Sequence, residues 1–358
     1  MPPYLYVSAW NPSGLTIVDA DPAVWATVGH ILDTGGTPLN APSTMVVHRG
    51  IAYIPCQLSY VSIVDVSDPT NPVFLSTIGS IGAPFFTAGC DCCHLRQGGL
   101  LYVTSITDNA LSIFDVSNPA APVFVGSIQG GGAAPWLGGA RSVDVDDSLV
   151  AYVAAPLDNS LTCIDVSNPA APVFLGRITG VGPPNRLNGV HRVIKIGNYA
   201  YTLSATANIN VFDVSNPAAP TLHGQLVDVV NLVSPANMCI YGNYAYVSCA
   251  TNPNGTLTII DIANPAAPAY VNKVVSWRIN STSGNAVFSR SFPNIYVCGS
   301  NNVTDALVWY EVANPLAINY VSQIVGQGAP NYMGAPRRVT HDIYFEPIAA
   351  TQPATRVT

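Results

Sequence analysis

Short runs of apolar residues, each ending in an acidic residue and a turn, recur along the whole chain. The seven copies read LTIVDADP, VSIVDVSDP, LSIFDVSNP, LTCIDVSNP, INVFDVSNP, LTIIDIANP and LVWYEVANP. Their acidic residues lie 46 to 50 residues apart and are Asp19, Asp65, Asp115, Asp165, Asp213, Asp261 and Glu311. A repeat of this length is typical of arrayed units that bury their apolar faces against their neighbours.

One unit, residues 188–227, contains four predicted strands. NGVHRVIKI and YAYTLSA are the first two, and Gly197-Asn198 between them is a hairpin signal. ANINVFDVS is the third strand, and a Pro-containing turn leads into TLHGQLV, the fourth. Period-two alternation places Tyr201 and Leu203 on one face of the second strand. Four short antiparallel strands in each unit predict a blade of a β-propeller.

The acidic residue of each repeat is expected to close a turn. Asp, Asn and Ser side chains accept hydrogen bonds from backbone N–H groups two or three residues further on. Because blades radiate outward from the ring, the seven acidic residues should lie far apart. This spacing is unfavourable for a shared metal or catalytic site.

The two ends of the chain together supply one complete unit. Residues 4–30 contain a second, third and fourth strand without a first, and GAPRRVTHDIYFEP near the C-terminus resembles the start of another unit. We therefore expect residues 334–346 to form the innermost strand beside Tyr4–Ser8. The prediction is one all-β domain over residues 1–350, a seven-bladed propeller of four-stranded antiparallel blades, followed by a tail at 351–358. N- and C-terminal strands sharing one blade would close the ring and remove its free ends.

The repeat resembles that of the LVIVD-repeat family. Units of that family look like LVIVDVSDPANPVLVG followed by GVAVSGNYAYVA, and VSIVDVSDPTNPVFLS and RVIKIGNYAYTLS match them almost throughout. The resemblance covers nearly all 358 residues and implies a seven-bladed β-propeller. Because the family is defined by its fold repeat rather than by one activity, the resemblance assigns no catalytic residue. The first and seventh units depart most, in DADPAVW and ANPLAINY.

Charged residues make up only 9% of the chain, against roughly 25% in typical soluble domains. The near absence of Lys and Glu, which are strong helix formers, agrees with an all-β fold. A net charge of −7 offers no basic surface for nucleic acid. No apolar run approaches the ~18 residues of a membrane span. MPPYLYVSAW lacks the features of a signal peptide, and the sequence does not fix the compartment.

The densest group of metal-ligating residues is Cys90-Asp91-Cys92-Cys93-His94, at the start of a predicted first strand. Cys and His are ligands of zinc and copper, and Cys90 and Cys92 should alternate onto the same face. His191 or His341, on other innermost strands, would complete a site. The alternative is that the thiols are simply buried, or that Cys92 and Cys93 pair adventitiously. A bound zinc or copper ion is therefore one hypothesis, and no cofactor is the other.

Positive charges form a second candidate site, this time for a ligand. Three predicted innermost strands carry Arg at nearly equivalent positions, and guanidinium groups around a narrow channel would bind a carboxylate or phosphate. The alternative is that these groups pair with Asp91, Asp144 or Asp342. The candidate ligand-binding residues are Arg141, His191, Arg192, Arg337 and Arg338.

Three functional hypotheses follow, and none assigns a catalytic residue by motif. We favour a non-catalytic structural propeller that assembles with itself or with other structural proteins, in a virion, surface layer or filament. The shortage of charge supports it. Trp10, Trp136 and Trp277 in predicted loops are candidate interface anchors, and the alternative for each is that it folds back onto its own blade. The second hypothesis is a channel that binds a small anion or sugar. The third is a metal-dependent enzyme using the Cys/His group, supported mainly by analogy of fold. The first hypothesis favours a virion or extracellular location over the cytoplasm.

Overall fold

The computed structural model describes residues 4–10, 12–35, 38–79, 85–96, 98–250, 254–276, 279, 287–288, 294–299, 306–326, 331 and 336–340. Within these residues the chain forms 28 strands, arranged as seven four-stranded antiparallel sheets. The sheets are the blades of a propeller ring, so the predicted fold class and blade number are confirmed. The tail predicted at 351–358 lies outside the described residues.

Blades are numbered from the N-terminus, and strands are given from the innermost to the outermost. Blade 1 consists of β28 (Pro336–Thr340), β1 (Tyr4–Trp10), β2 (Ser13–Asp19) and β3 (Ala26–Leu32). Blade 2 consists of β4 (Val46–His48), β5 (Ile51–Cys56), β6 (Tyr60–Asp65) and β7 (Val73–Ile78). Blade 3 consists of β8 (Cys90–Arg96), β9 (Leu100–Ser105), β10 (Ala110–Asp115) and β11 (Val123–Gln129).

The remaining blades repeat this order. Blade 4 consists of β12 (Ser142–Val145), β13 (Val150–Ala155), β14 (Ser160–Asp165) and β15 (Val173–Thr179). Blade 5 consists of β16 (Val190–Ile196), β17 (Tyr199–Ser204), β18 (Asn208–Asp213) and β19 (Thr221–Val227). Blade 6 consists of β20 (Pro235–Tyr241), β21 (Tyr244–Cys249), β22 (Gly255–Asp261) and β23 (Ala269–Ser276). Blade 7 consists of β24 (Val287–Phe288), β25 (Asn294–Gly299), β26 (Ala306–Asn314) and β27 (Ala317–Val325).

The C-terminal strand β28 completes the blade that the N-terminus begins. It pairs antiparallel with β1, with Tyr6 opposite Thr340 and Val7 opposite Val339. The predicted closure is therefore confirmed. The first strands of successive blades contact one another around the ring, which places them innermost.

Apolar cores lie between adjacent blades rather than within them. Tyr201 and Leu203 of blade 5, for example, pack in one cluster with Met238 and Val247 of blade 6, as the predicted alternation in β17 requires. Burying one such side chain contributes roughly 1.5–3 kcal/mol. All eight Cys residues of the sequence are buried with free thiols and serve as small apolar side chains.

The acidic residue of the repeat closes a turn, as predicted. The Oδ1 atoms of Asp115, Asp165 and Asp213 accept hydrogen bonds from the backbone N–H two residues later, at 2.9, 2.8 and 2.9 Å. Hydrogen bonds from the Ser hydroxyl and N–H two residues later hold the pKa of Asp165 below its ordinary value. These residues therefore belong to the scaffold.

The turn after each third strand also packs against the preceding blade. A Cβ added to Gly126 of β11 would lie 2.4 Å from the carbonyl oxygen of Pro169, and one on Gly176 of β15 would lie 2.4 Å from that of Ala218. Glycine is required here because the next blade's backbone touches the outer strand. Blade 2 has Ser76 instead, whose hydroxyl donates a 2.6 Å hydrogen bond to the Pro119 carbonyl.

Candidate functional site

The innermost strands of four blades, β8, β16, β20 and β28, contain a β-bulge near their first residue. In β8, Cys90 is opposite Ser105 while Cys92 is opposite the adjacent Thr104, so Asp91 is the extra residue. Such a bulge reverses the alternation of side chains beyond it. Cys90 therefore packs toward blade 2 with Cys93, and Cys92 packs toward blade 4. The prediction that Cys90 and Cys92 share a face is wrong for this reason.

The thiols of the predicted metal cluster are occupied by backbone contacts. Cys90 Sγ donates to the carbonyl oxygens of Cys56 and Tyr60, both at 3.0 Å. Burial raises the pKa of Cys90 and Cys93 well above the ordinary thiol value, whereas a metal ligand must be a thiolate. Across the described ranges, no three His, Cys, Asp or Glu side chains are grouped so as to hold a metal. Zinc or copper binding stays a prediction.

The fourth member of that cluster, His94, belongs to a chain of polar contacts between blades. Its Nδ1 lies 3.2 Å from Oδ1 of Asp144, which is fully buried. Oδ2 of Asp144 accepts a 2.7 Å hydrogen bond from the backbone N–H of Lys195. Lys195 Nζ lies 3.6 Å from Oδ2 of Asp146, which also accepts from the Tyr152 hydroxyl at 3.0 Å. These contacts join the innermost strands of blades 3, 4 and 5.

The bulge positions bring several polar side chains to one end of the innermost strands. Asp91 in blade 3 and His191 in blade 5 are bulge residues, and Arg141 precedes β12 at the corresponding place in blade 4. Asp91 is buried and accepts from the Ser43 hydroxyl at 2.6 Å and from Nε of Arg141 at 3.1 Å. Arg141 is thus paired with an acid, as the alternative hypothesis stated. Its side chain is 44% exposed.

Arg192 occupies a different position from Arg141. It follows the bulge and lies opposite Leu203, so its side chain is directed toward blade 6, and it is 3% exposed. In blade 1, Arg338 pairs with Ser8 and Arg337 falls at the bulge, which makes Arg338 the equivalent of Arg192. The side chains of Arg337 and Arg338, and all of His341, lie outside the described residues.

Two of the three predicted interface tryptophans are covered by the protein itself. Trp10 is partly buried and its Nε1 donates to the Pro42 carbonyl at 2.8 Å. Trp136 packs on Phe174, and the guanidinium carbon of Arg177 lies 3.7 Å from the ring centre. Trp10 and Trp136 are therefore partly buried against neighbouring loops and strands, in agreement with the alternative that these rings fold back onto the protein. Trp277 lies outside the described residues.

A cavity of about 340 Å³ opens between blades 2 and 3 at the opposite end of the innermost strands. Its walls are mostly apolar and include Ile51, Tyr53, Leu95 and Val116. Burial raises the pKa of Tyr53 to about 12, which keeps its hydroxyl neutral.

Sequence reasoning did not assign roles to Ser43 and Lys195, although both take part in the inner polar contacts. A signal was present for Lys195, since the chain has only two lysines and one of them falls within a predicted innermost strand. Ser43 gave no signal, because Ser is common throughout the chain.

Comparison with solved structures finds the same fold in proteins of very different sequence. A protein from Lactobacillus plantarum is 12% identical, with a TM-score of 0.75 and coverage of 95% of this chain and 99% of that one. The periplasmic gluconolactonase of Pseudomonas aeruginosa is 12% identical, with a TM-score of 0.74 and coverage of 96% and 99%. A candidate 6-phosphogluconolactonase of Bacteroides fragilis is 10% identical, with a TM-score of 0.74 and coverage of 95% and 98%. At these identities the likeness establishes the fold alone.

Comparison with curated proteins finds no match. In the part of the chain that the structure describes, no helix has the length and apolar character to cross a bilayer. The model of the LVIVD repeat matches five segments that together cover more than half of the chain, at residues 44–78, 97–129, 138–179, 190–228 and 234–275. The chain belongs to the LVIVD-repeat family.

Proposed function

We propose that this protein is a non-catalytic interaction propeller that assembles with further copies of itself through its outer strands. The observation that carries the proposal is the absence of any acidic residue from the seven outer strands β3, β7, β11, β15, β19, β23 and β27. They contain only two Lys or Arg residues, Arg177 and Lys273. Arg177 is stacked on Trp136, and Lys273 donates to the Val230 carbonyl.

The outer strands also expose apolar side chains at repeated positions. Val73, Val123 and Val173 begin β7, β11 and β15 and are 48%, 60% and 56% exposed. In β27, Tyr320 and Val321 are 45% and 41% exposed. Natural proteins commonly protect a free strand edge with charged residues. In each blade a β-bulge interrupts the pairing between the third strand and the outer strand, which shortens the regular edge of the outer strand. The charged residues that usually protect such an edge are nevertheless almost absent.

Charge favours a second copy at this surface over other surfaces of the ring. The chain has a net charge of −7, so two copies repel each other wherever their acidic turns approach. The outer strands themselves contain no acidic residue, so we expect repulsion between two copies to be weaker along these strands than at the acidic turns. Antiparallel pairing of one edge with its own copy about a twofold axis is self-complementary.

The test is sedimentation velocity of the full chain from about 1 to 100 µM, the range in which micromolar self-association is visible. We expect the wild-type protein to sediment as a larger species as concentration rises. Val321→Lys adds a charge to the β27 edge and should weaken association about tenfold or more. Leu157→Lys is the matched control, because Leu157 is a 72% exposed hairpin residue outside the outer strands.

Two outcomes contradict the proposal. The first is a wild-type protein that remains monomeric over the whole range. The second is equal association of Val321→Lys, Leu157→Lys and wild type. Val123→Lys tests a second edge in the same way, in case Val321→Lys does not fold.

The proposal keeps the structural role that we favour from the sequence, in a virion, surface layer or filament. Its support is now the outer strands rather than the tryptophans. An enzymatic role draws on the lactonase names of two structural neighbours, which are only 10% and 12% identical to this chain. Among the described residues, no group of three His, Cys, Asp or Glu side chains could hold a metal for such a role.

A further inference from the structure

Arg192 differs from Arg96, Arg141 and Lys195 in having no acidic partner among the described residues. Arg96, Arg141 and Lys195 lie 3.6, 3.1 and 3.6 Å from Asp147, Asp91 and Asp146. Within the described residues, no carboxylate lies within 4.0 Å of the Arg192 guanidinium. Its Nε is shielded from solvent and has no hydrogen-bond partner there.

A buried guanidinium without an acidic partner lowers the stability of the folded protein. Arg192 is only 3% exposed, and an Arg side chain does not lose its proton in proteins. Placing an unpaired ion in the interior is strongly unfavourable even after the protein relaxes around it. The protein therefore presents a fixed positive charge that is favourable only when a negative group reaches it.

The neighbouring blade does not supply that negative group. Arg192 and Leu203 lie on the face of blade 5 that packs against blade 6. Cys239 of β20 is close enough for the charge of Arg192 to act on its pKa, yet burial dominates and raises that pKa to about 12. The thiol is therefore neutral at physiological pH. Asn237, the Arg192 equivalent in β20, is also buried and carries no charge.

We propose that Arg192 is the binding residue for a small oxyanion, a carboxylate or a phosphate group, held between blades 5 and 6 beside the central channel. The planar guanidinium matches the two oxygens of either group with paired hydrogen bonds. Arg192 lies one residue inside the bulge at His191, near the end of its strand, so the path from solvent is short. Among the described side chains at this end of the ring, Arg141 is paired with Asp91, whereas Arg192 has no carboxylate partner.

The inference is independent of self-assembly and is tested on the same full-length protein. Thermal unfolding and isothermal titration calorimetry are performed with inorganic phosphate, sulfate and acetate, with chloride at matched ionic strength as reference. We expect one or more of the three oxyanions to raise the melting temperature and to bind with a stoichiometry of one per chain. Stronger binding of acetate assigns a carboxylate site, and stronger binding of phosphate or sulfate assigns a tetrahedral oxyanion site.

Arg192→Met removes the charge and keeps most of the side-chain volume. We expect it to weaken oxyanion binding by about tenfold or more, since hydrogen bonds to a charged group are lost. In chloride alone this variant should melt at or above the wild-type temperature, because an unpaired buried charge has been removed. Arg177→Met is the matched control, with the same change of charge on an outer strand, and should retain binding.

Three results would overturn the inference. One is a wild-type protein that no oxyanion stabilises, and another is an Arg192→Met variant that binds as wild type does. The third is an Arg192→Met variant that melts lower than wild type in chloride, since Arg192 would then be satisfied within the protein. Arg192→Lys keeps the charge without the planar guanidinium. It is the second variant if Arg192→Met does not fold, and it should bind more weakly than wild type.

Discussion

The innermost and outermost strands of this propeller solve the same problem in opposite ways. Both must fix one blade against the next. The innermost strands use charged and polar side chains, such as the pair between His94 and Asp144 across blades 3 and 4. The outer strands use close backbone contact, such as that of Gly176 with the turn at Ala218. Polar pairing is therefore concentrated at the centre, and the outer strands are left almost without charge.

The difference follows from how the blades diverge. At the centre the first strands are close, and their inner edges leave backbone N–H groups that need acceptors. Asp144 is one such acceptor, for the N–H of Lys195. At the perimeter the blades are farther apart, and the turn after each third strand spans the gap. Because glycine has no side chain, that turn can approach the outer strand of the preceding blade closely.

The largest expected effect comes from breaking the ring at its centre. Deletion of residues 334–358 removes β28 and leaves β1 with a free edge. We expect the loss of most of the folding free energy, which is about 5–15 kcal/mol for a typical protein, and aggregation through the exposed strand. Urea unfolding followed by circular dichroism measures it. Deletion of 351–358 alone is the control, and comparable stability of the two truncated chains would contradict closure by β28.

A smaller but still large effect is expected at the perimeter. Gly176→Val places a Cβ 2.4 Å from the carbonyl oxygen and 2.6 Å from the carbonyl carbon of Ala218. The backbone of blade 5 must move, so we expect a loss of about 4 kcal/mol in the free energy of unfolding. At Gly182 a Cβ would meet nothing within 4 Å. Gly182→Val should therefore stay within about 0.5 kcal/mol of wild type, and equal effects of the two substitutions would contradict the contact.

The smallest expected effect concerns the turn that joins the third strand to the outer strand. Asp165→Ala removes the acceptor of the Ser167 N–H hydrogen bond and should cost about 1 kcal/mol at pH 7. Because the pKa of Asp165 in the folded state lies below its ordinary 3.8, this stabilisation is present above that value. It is lost as the pH falls through the lower, folded-state pKa.

Chemical denaturation at pH 7 and at about pH 2 therefore tests two things: the hydrogen bond accepted by the Asp165 carboxylate, and its loss when that carboxylate is protonated. The difference between wild type and Asp165→Ala should shrink at the lower pH. Asp147→Ala is the control, since Asp147 is 77% exposed and contributes only a surface ion pair. An undiminished difference at low pH would mean that the ionised carboxylate is not what stabilises the turn.

The sequence alone determined the repeat, the four strands of each unit and the closure of the ring. These features depend on local patterns, because apolar alternation and turn residues act over a few positions. The role of Asp165 was predictable for the same reason, since the residue contacts only the turn that it closes. The spare strand at the C-terminus was also visible, because a repeat shows which part of a unit is missing.

The tertiary structure alone decided which side chains meet at the centre and which are covered. Cys90 and Cys92 were assigned to one face because strands alternate, but the bulge at Asp91 depends on the register with β9. Whether Trp136 is exposed or folds back was open from the sequence, and Phe174 and Arg177 of blade 4 partly cover it. Arg192 and Arg141 had equivalent places in the sequence pattern, yet only Arg141 has an acid within reach in the described structure. Each outcome depends on a residue dozens of positions away in sequence or on a shift of one residue in pairing, and local patterns carry no information about either.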